Sequence, residues 1–111
     1  MAKALMEQLE RLAVAARYDA KTLAKFCRLS VRQLERDFHS RLGRAPQDWL
    51  NEQRLKAAQQ LLLAGQSVKA VALELGFKQV SHFCRQFKLK HRLTPSQFTA
   101  QAGNGFHVAG R

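Results

Sequence analysis

The chain repeats itself, and the repeat limits what it can fold into. Leu23, Ala24 and Leu29 recur as Val71, Ala72 and Phe77 at an offset of 48. Leu34, Arg36, Phe38 and Pro46 recur as Phe83, Arg85, Phe87 and Pro95 at an offset of 49, so one residue has been added in the second turn. Each copy reads short helix, tight turn, longer helix, loop, proline. That is the order of a helix-turn-helix, in which a first helix braces a second.

Apolar spacing extends this reading to the whole chain. Leu5, Leu9 and Leu12 predict a first helix over about 2–16, and Asp19 is placed to cap a short helix through Leu23, Phe26 and Cys27. Ser30 caps a third helix, whose Leu34, Phe38 and Leu42 stand four apart on one face, and Gly43 stops it. Pro46 opens the longest element, through Trp49, Leu50, Leu55, Ala58, Leu61 and Leu62 to Gly65. Ser67 caps a short helix that buries Val71, Leu73 and Leu75 and ends at Gly76. A further helix from Gln79 to His91 turns Phe83 and Phe87 inward, and Thr94 and Pro95 begin a short last helix through Phe98. No segment alternates with the period of a strand, so the expected fold is all-α, with about seven helices. The expected layout is one domain over 1–101, with units over about 8–46 and 66–99 joined by a linker helix over about 46–64. Residues 102–111 are expected to form a flexible tail.

Charge narrows the partner. Lys and Arg total 19 against 8 Asp and Glu among 111 residues, a formal net charge of +11. Such an excess opposes compaction by self-repulsion and points to a polyanion. No apolar run approaches the roughly 18 residues needed to cross a bilayer. The N-terminal stretch carries Glu7 and Glu10 in an amphipathic pattern, unlike a secretory leader. The expected setting is therefore cytoplasmic, with double-stranded DNA as partner and no membrane.

Chemistry on bound substrates finds little support. Cys27 and Cys84 stand 57 positions apart without a CxxC or Cys/His cluster, so they read as reduced thiols filling small spaces. The histidines lack metal-ligand spacing. Asp19, Glu35, Asp37, Asp48, Glu52 and Glu74 form no recognisable catalytic pair. The expectation is no enzyme, no cofactor and no metal.

The two longer helices of the repeat carry the candidate site. With Leu34, Phe38 and Leu42 inward, the helix from Val31 leaves Arg32, Glu35, Arg36 and His39 outward. With Phe83 and Phe87 inward, its counterpart leaves Val80, Ser81, Cys84, Arg85 and Lys88 outward. An α-helix fits the major groove, where each base pair shows a distinct donor and acceptor pattern that such side chains can read.

The segments "LAKFCRLSVRQLERDFHSRLGRAP" and "VKAVALELGFKQVSHFCRQFKLKHRLTP" resemble the DNA-binding domain of the AraC/XylS family of bacterial transcription regulators. The resemblance covers roughly residues 8 to 99 and rests most firmly on A-x-x-L-G-F followed by S-H-F-x-R-x-F-K and TP. It implies two helix-turn-helix units joined by a long central helix, reading neighbouring major-groove segments about 34 Å apart on one face of the duplex. It further implies base contacts at Arg32, Glu35 and Arg36 in the first unit and at Val80, Ser81, Cys84 and Arg85 in the second. Arg36 and Arg85 are the strongest candidates, because Arg can bond guanine O6 and N7 bidentately. DNA-backbone contacts are expected at Gln33, Lys78, Gln79, His82 and Lys88.

The chain departs from the family pattern at two positions. Arg28 stands where a small residue often ends the brace helix, and Arg92 replaces the usual glycine before LTP. Many members also carry a sensing or dimerisation domain, for which these 111 residues leave no room, so the expectation is either a minimal stand-alone regulator or the terminal domain of a longer protein. The expectation is a sequence-specific regulator, activator or repressor, with RNA polymerase as a further partner and a monomer sufficient for binding. The alternative is a basic architectural protein that binds all duplexes alike.

Overall fold

The computed structural model describes residues 3–109, with side chains described over 6–102. Among the described residues there are seven helices and no strand: α1 (Lys3–Ala15), α2 (Ala20–Phe26), α3 (Val31–Leu42), α4 (Pro46–Leu63), α5 (Val68–Glu74), α6 (Val80–His91) and α7 (Pro95–Ala109). The chain divides into two compact units between Arg54 and Leu55, within α4.

Local chemistry explains most of the boundaries in the first unit. The Asp19 carboxylate accepts from the Thr22 amide at 2.9 Å and the Thr22 hydroxyl at 2.8 Å, capping α2. At α3 the caps are reciprocal: the Gln33 amide donates to Ser30 Oγ at 3.1 Å, and the Ser30 amide donates to Gln33 Oε1 at 2.9 Å. This exchange satisfies two of the amide donors that a helix start leaves without partners. Gly43 ends α3 with φ of 70°, a left-handed conformation that costs glycine little.

The core of this unit is Leu23 and Ala24 of α2, Leu34 and Phe38 of α3, and Trp49 and Leu50 of α4, with Ala13, Ala16 and Tyr18. Phe38 meets Trp49 edge-on, ring centres 5.6 Å apart, which fixes α3 against α4. The α1–α2 connection is held by Gln47. Its amide donates to the Tyr18 carbonyl at 3.0 Å, and its carbonyl oxygen accepts from the Ala20 amide at 3.0 Å.

In the second unit, Ser67 caps α5 by accepting from the Ala70 amide at 3.1 Å. Thr94 and Gln97 repeat the reciprocal cap at the start of α7. Its core holds an aromatic row: buried Phe77, Phe83 and Phe87 and the half-buried Phe98 follow one another with ring centres 5.1 to 5.8 Å apart. Burial of Phe77, Phe83 and Phe87 stabilises the unit by about 1.5–3 kcal/mol each. His91 stacks edge-on against Phe87 at 4.5 Å and brings Nε2 within 3.1 Å of the Leu55 carbonyl, which ties the end of α6 to α4.

The repeat goes deeper in the backbone than in the side chains. The amides of Arg17 and Tyr18 donate to Val14 and Ala13, and those of Gly65 and Gln66 donate to Leu62 and Leu61, the same bonds 48 residues on. Arg28 donates to Lys25 and Leu29 to Ala24, just as Gly76 donates to Leu73 and Phe77 to Ala72. Three left-handed positions thus pair an arginine with a glycine: Arg17 (φ 54°) with Gly65 (98°), Arg28 (58°) with Gly76 (85°), and Arg92 (68°) with Gly43 (70°).

The start of α6 falls where expected, at Val80 with Gln79 as an extended N-cap. Two sequence expectations need correction. Leu73, expected in the core, is 60% exposed, because Val71 and Ala72 fill the buried side of α5 and Leu75, its C-cap, is buried just beyond. The last helix does not stop near Phe98 but continues to Ala109 through Gly103 and Gly105. Glycine costs a helix about 1 kcal/mol relative to alanine but does not forbid it. Ala2, at the start of the expected first helix, and Gly110 and Arg111, at the end of the expected tail, lie outside the described residues, as does Met1.

Candidate nucleic-acid interface

Each unit builds one polar helix face on an apolar one. In α3, Leu34 and Phe38 are buried, while Arg32, Glu35, Arg36 and His39 are exposed on the other side. In α6, Phe83 and Phe87 are fully buried, and Ser81, Arg85 and Lys88 are exposed. Val80 is 37% exposed. Cys84 is half-buried and unpaired as a thiol.

The outward groups are not consumed inside the protein. Arg32, Glu35, Arg36 and Arg85 make no ion pair or hydrogen bond among the described residues, in contrast to Arg44, which reaches Glu52 at 2.9 Å. Their hydrogen-bonding capacity is thus available to a ligand. At the start of α3 the Gln33 oxygen is engaged with Ser30, which leaves its two amide hydrogens to donate. At the start of α6 the opposite holds, since the Gln79 side chain makes no capping bond. Lys78 and Gln79 are exposed there. His82 is exposed but leans edge-on against Phe77, ring centres 5.6 Å apart.

Every candidate residue thus lies on or beside one of the two helix faces, with Cys84 the most withdrawn. Arg17, at the turn before α2, escaped the sequence reading. Its left-handed backbone has no glycine to announce it. Gln47 was also missed, because its role is a bond across 29 positions in sequence.

The Thr22 hydroxyl, then the Thr22 amide, with Lys21 and Lys25 nearby, lower the Asp19 pKa. Burial raises the Cys27 thiol. Burial lowers the Arg54 guanidinium, whose Nη2 donates to Asn51 Oδ1 at 3.1 Å. Among the described residues no group of His, Cys, Asp and Glu could hold a metal ion, and no helix is long and apolar enough to cross a membrane.

A family model described as "Helix-turn-helix domain" matches residues 23–101. A solved AraC-type DNA-binding-domain regulator from Chromobacterium violaceum superposes with a TM-score of 0.71 at 29% identity, covering 89% of this chain and 96% of that one. The chain belongs to the AraC-type helix-turn-helix family. Another solved structure of similar fold is the C-terminal domain of the two-component response regulator yesN from Fusobacterium nucleatum, with a TM-score of 0.73 at 25% identity over 87% of this chain and 99% of that one.

Relatives in sequence include an uncharacterised HTH-type transcriptional regulator of Haemophilus influenzae, 39% identical over 68% of this chain and 26% of its own length. The HTH-type transcriptional regulator MtrA of Neisseria gonorrhoeae is 37% identical over 68% of this chain and 25% of its own. This AraC-type chain therefore spans about a quarter of the curated relatives it matches.

Proposed function

We propose that the protein binds double-stranded DNA sequence-specifically and regulates transcription, with α3 and α6 each reading a segment of major groove. The observation that carries this is the paired arrangement itself. Two helices of 12 residues each present uncommitted polar side chains on one side and buried Phe or Leu on the other.

The roles follow from side-chain chemistry. Arg36 and Arg85 suit bidentate contact with guanine, Glu35 accepts from a cytosine amino group, and Val80 packs on a thymine methyl. Arg32, Ser81 and Cys84 complete the reading faces. Gln33, Lys78, Gln79, His82 and Lys88 contact the DNA backbone and set the register. The mechanism is occupancy of a site, without bond chemistry. The charge of +11 supports strong phosphate attraction. If about 6–10 phosphates are neutralised, affinity falls roughly 10³–10⁵-fold between 50 and 200 mM salt.

A second partner suited to a regulator is RNA polymerase, and its setting would be the cytoplasm. With both reading helices in one chain, a monomer can address two groove segments.

Selection from a random duplex library at about 150 mM salt, with the bound pool sequenced, tests the proposal. Two enriched blocks about 10 base pairs apart are expected. A pool without enrichment would overturn specific reading and favour the architectural alternative.

A further inference from the structure

The two motifs bring positive charge to the start of their reading helices in different ways. In the second, the chain runs Gly76, Phe77, Lys78, Gln79 into α6. Glycine takes the left-handed turn position, and the added residue, Lys78, supplies an exposed cation one place before the N-cap. In the first, it runs Arg28, Leu29, Ser30 into α3, with no residue corresponding to Lys78. Ser30 is committed to capping and Leu29 is half-buried. The exposed cation nearest ahead of α3 is Arg28, which occupies the left-handed turn position itself.

Nothing in the backbone calls for an arginine there. Arg28 and Gly76 make the same turn bond, amide to the carbonyl three residues back, at 3.1 Å in both. A Cβ added at Gly76 would meet nothing within 4 Å, so the turn has room for either residue and differs only in backbone strain. Of the exposed left-handed arginines, Arg28 alone stands in the turn of a motif immediately ahead of its reading helix. Its side chain makes no hydrogen bond or ion pair among the described residues, which leaves the charge for a partner.

We infer that Arg28 anchors the first motif to a DNA phosphate, the task Lys78 performs in the second. The inference rests on the reading of α3 as a groove-binding helix. Arg suits the task because its planar fork presents two donors to a phosphate.

The test sets stability against binding. Arg28→Gly relieves the turn, so the variant should melt at or above the parent temperature. Its affinity for the selected duplex and for unrelated duplexes should fall by a similar factor, and the slope of log affinity against log salt should shrink by about 0.9. Arg28→Lys should recover most of the slope. Unchanged affinity and slope in Arg28→Gly would overturn the inference. Arg36→Ala separates the two levels: if it loses preference at one base pair while Arg28→Gly binds as the parent does, only the anchor fails. If both variants bind as the parent does, the reading of α3 fails with it.

Discussion

Gln47 and Tyr18 are joined by a hydrogen bond of 3.0 Å from the side-chain amide of one to the backbone carbonyl of the other. The same side chain accepts from Ala20, so a single residue of α4 satisfies both sides of a turn that contains two left-handed non-glycine residues, Arg17 and Tyr18. Replacing it with alanine leaves a part-buried donor and acceptor without partners, at about 1–3 kcal/mol. Gln47→Ala should therefore lower the calorimetric melting temperature, while Gln47→Glu, which keeps the acceptor for Ala20, should fall between the two. Equal melting of Gln47→Ala and the parent would remove this bond from the account of the turn.

Arg92→Gly should stabilise the protein. Arg92 ends α6 with φ of 68°, where an L side chain costs roughly 1–2 kcal/mol. The greater freedom of glycine in the unfolded chain offsets about 0.5–1 kcal/mol of the relief. Its counterpart Gly43 already makes the same bond back to the fourth preceding residue. A higher urea midpoint at constant slope is the expected result.

Asp19 couples the start of α2 to pH. Its pKa is lowered below the ordinary 3.8, chiefly by the Thr22 hydroxyl. A lowered carboxylate stabilises the fold fully above its unfolded pKa, and that contribution is lost as pH falls through the folded value. Asp19→Ala should cost about 1 kcal/mol at neutral pH and narrow its gap from the parent below about pH 4. Asp19→Asn, which keeps an acceptor, should match the parent more closely at neutral pH. A gap between Asp19→Ala and the parent that stays constant down to pH 2 would contradict this coupling.

Arg85→Ala and Lys78→Ala should differ in kind. Loss of a bidentate guanine contact relaxes preference at one base position by about 1–3 kcal/mol, whereas loss of a phosphate contact weakens all sequences alike and lowers the salt slope by about one. Binding assays over a set of single-base variants of the selected site separate the two. A uniform loss in Arg85→Ala would remove it from the reading residues.

Features set by near neighbours were legible in the sequence. Asp19, Ser30, Ser67 and Gly43 all act where their residue types predict, because a cap is a bond within one turn of helix. The outward faces of α3 and α6 were legible for a related reason, since Phe and Leu at helical spacing settle where Arg36 and Arg85 must lie. Features set by distant or negative facts were not. Nothing in "ARYD" announces two left-handed residues held by a glutamine 29 positions away. Gly103 and Gly105 suggested a break that the backbone does not take. The lean of His82 on Phe77 and the partial withdrawal of Cys84 follow from packing that periodicity does not resolve.

Phe packs in both cores, but Trp and Tyr fall in only one. The chain has one Trp and one Tyr, and both Trp49 and Tyr18 are buried in the first unit, while Phe77, Phe83, Phe87 and Phe98 belong to the second. Intrinsic fluorescence excited near 280 nm therefore watches only one half of the molecule, and far-ultraviolet dichroism watches both. Superimposable melts by the two signals would mean that the units unfold as one cooperative body, and separated melts would give the order in which they let go.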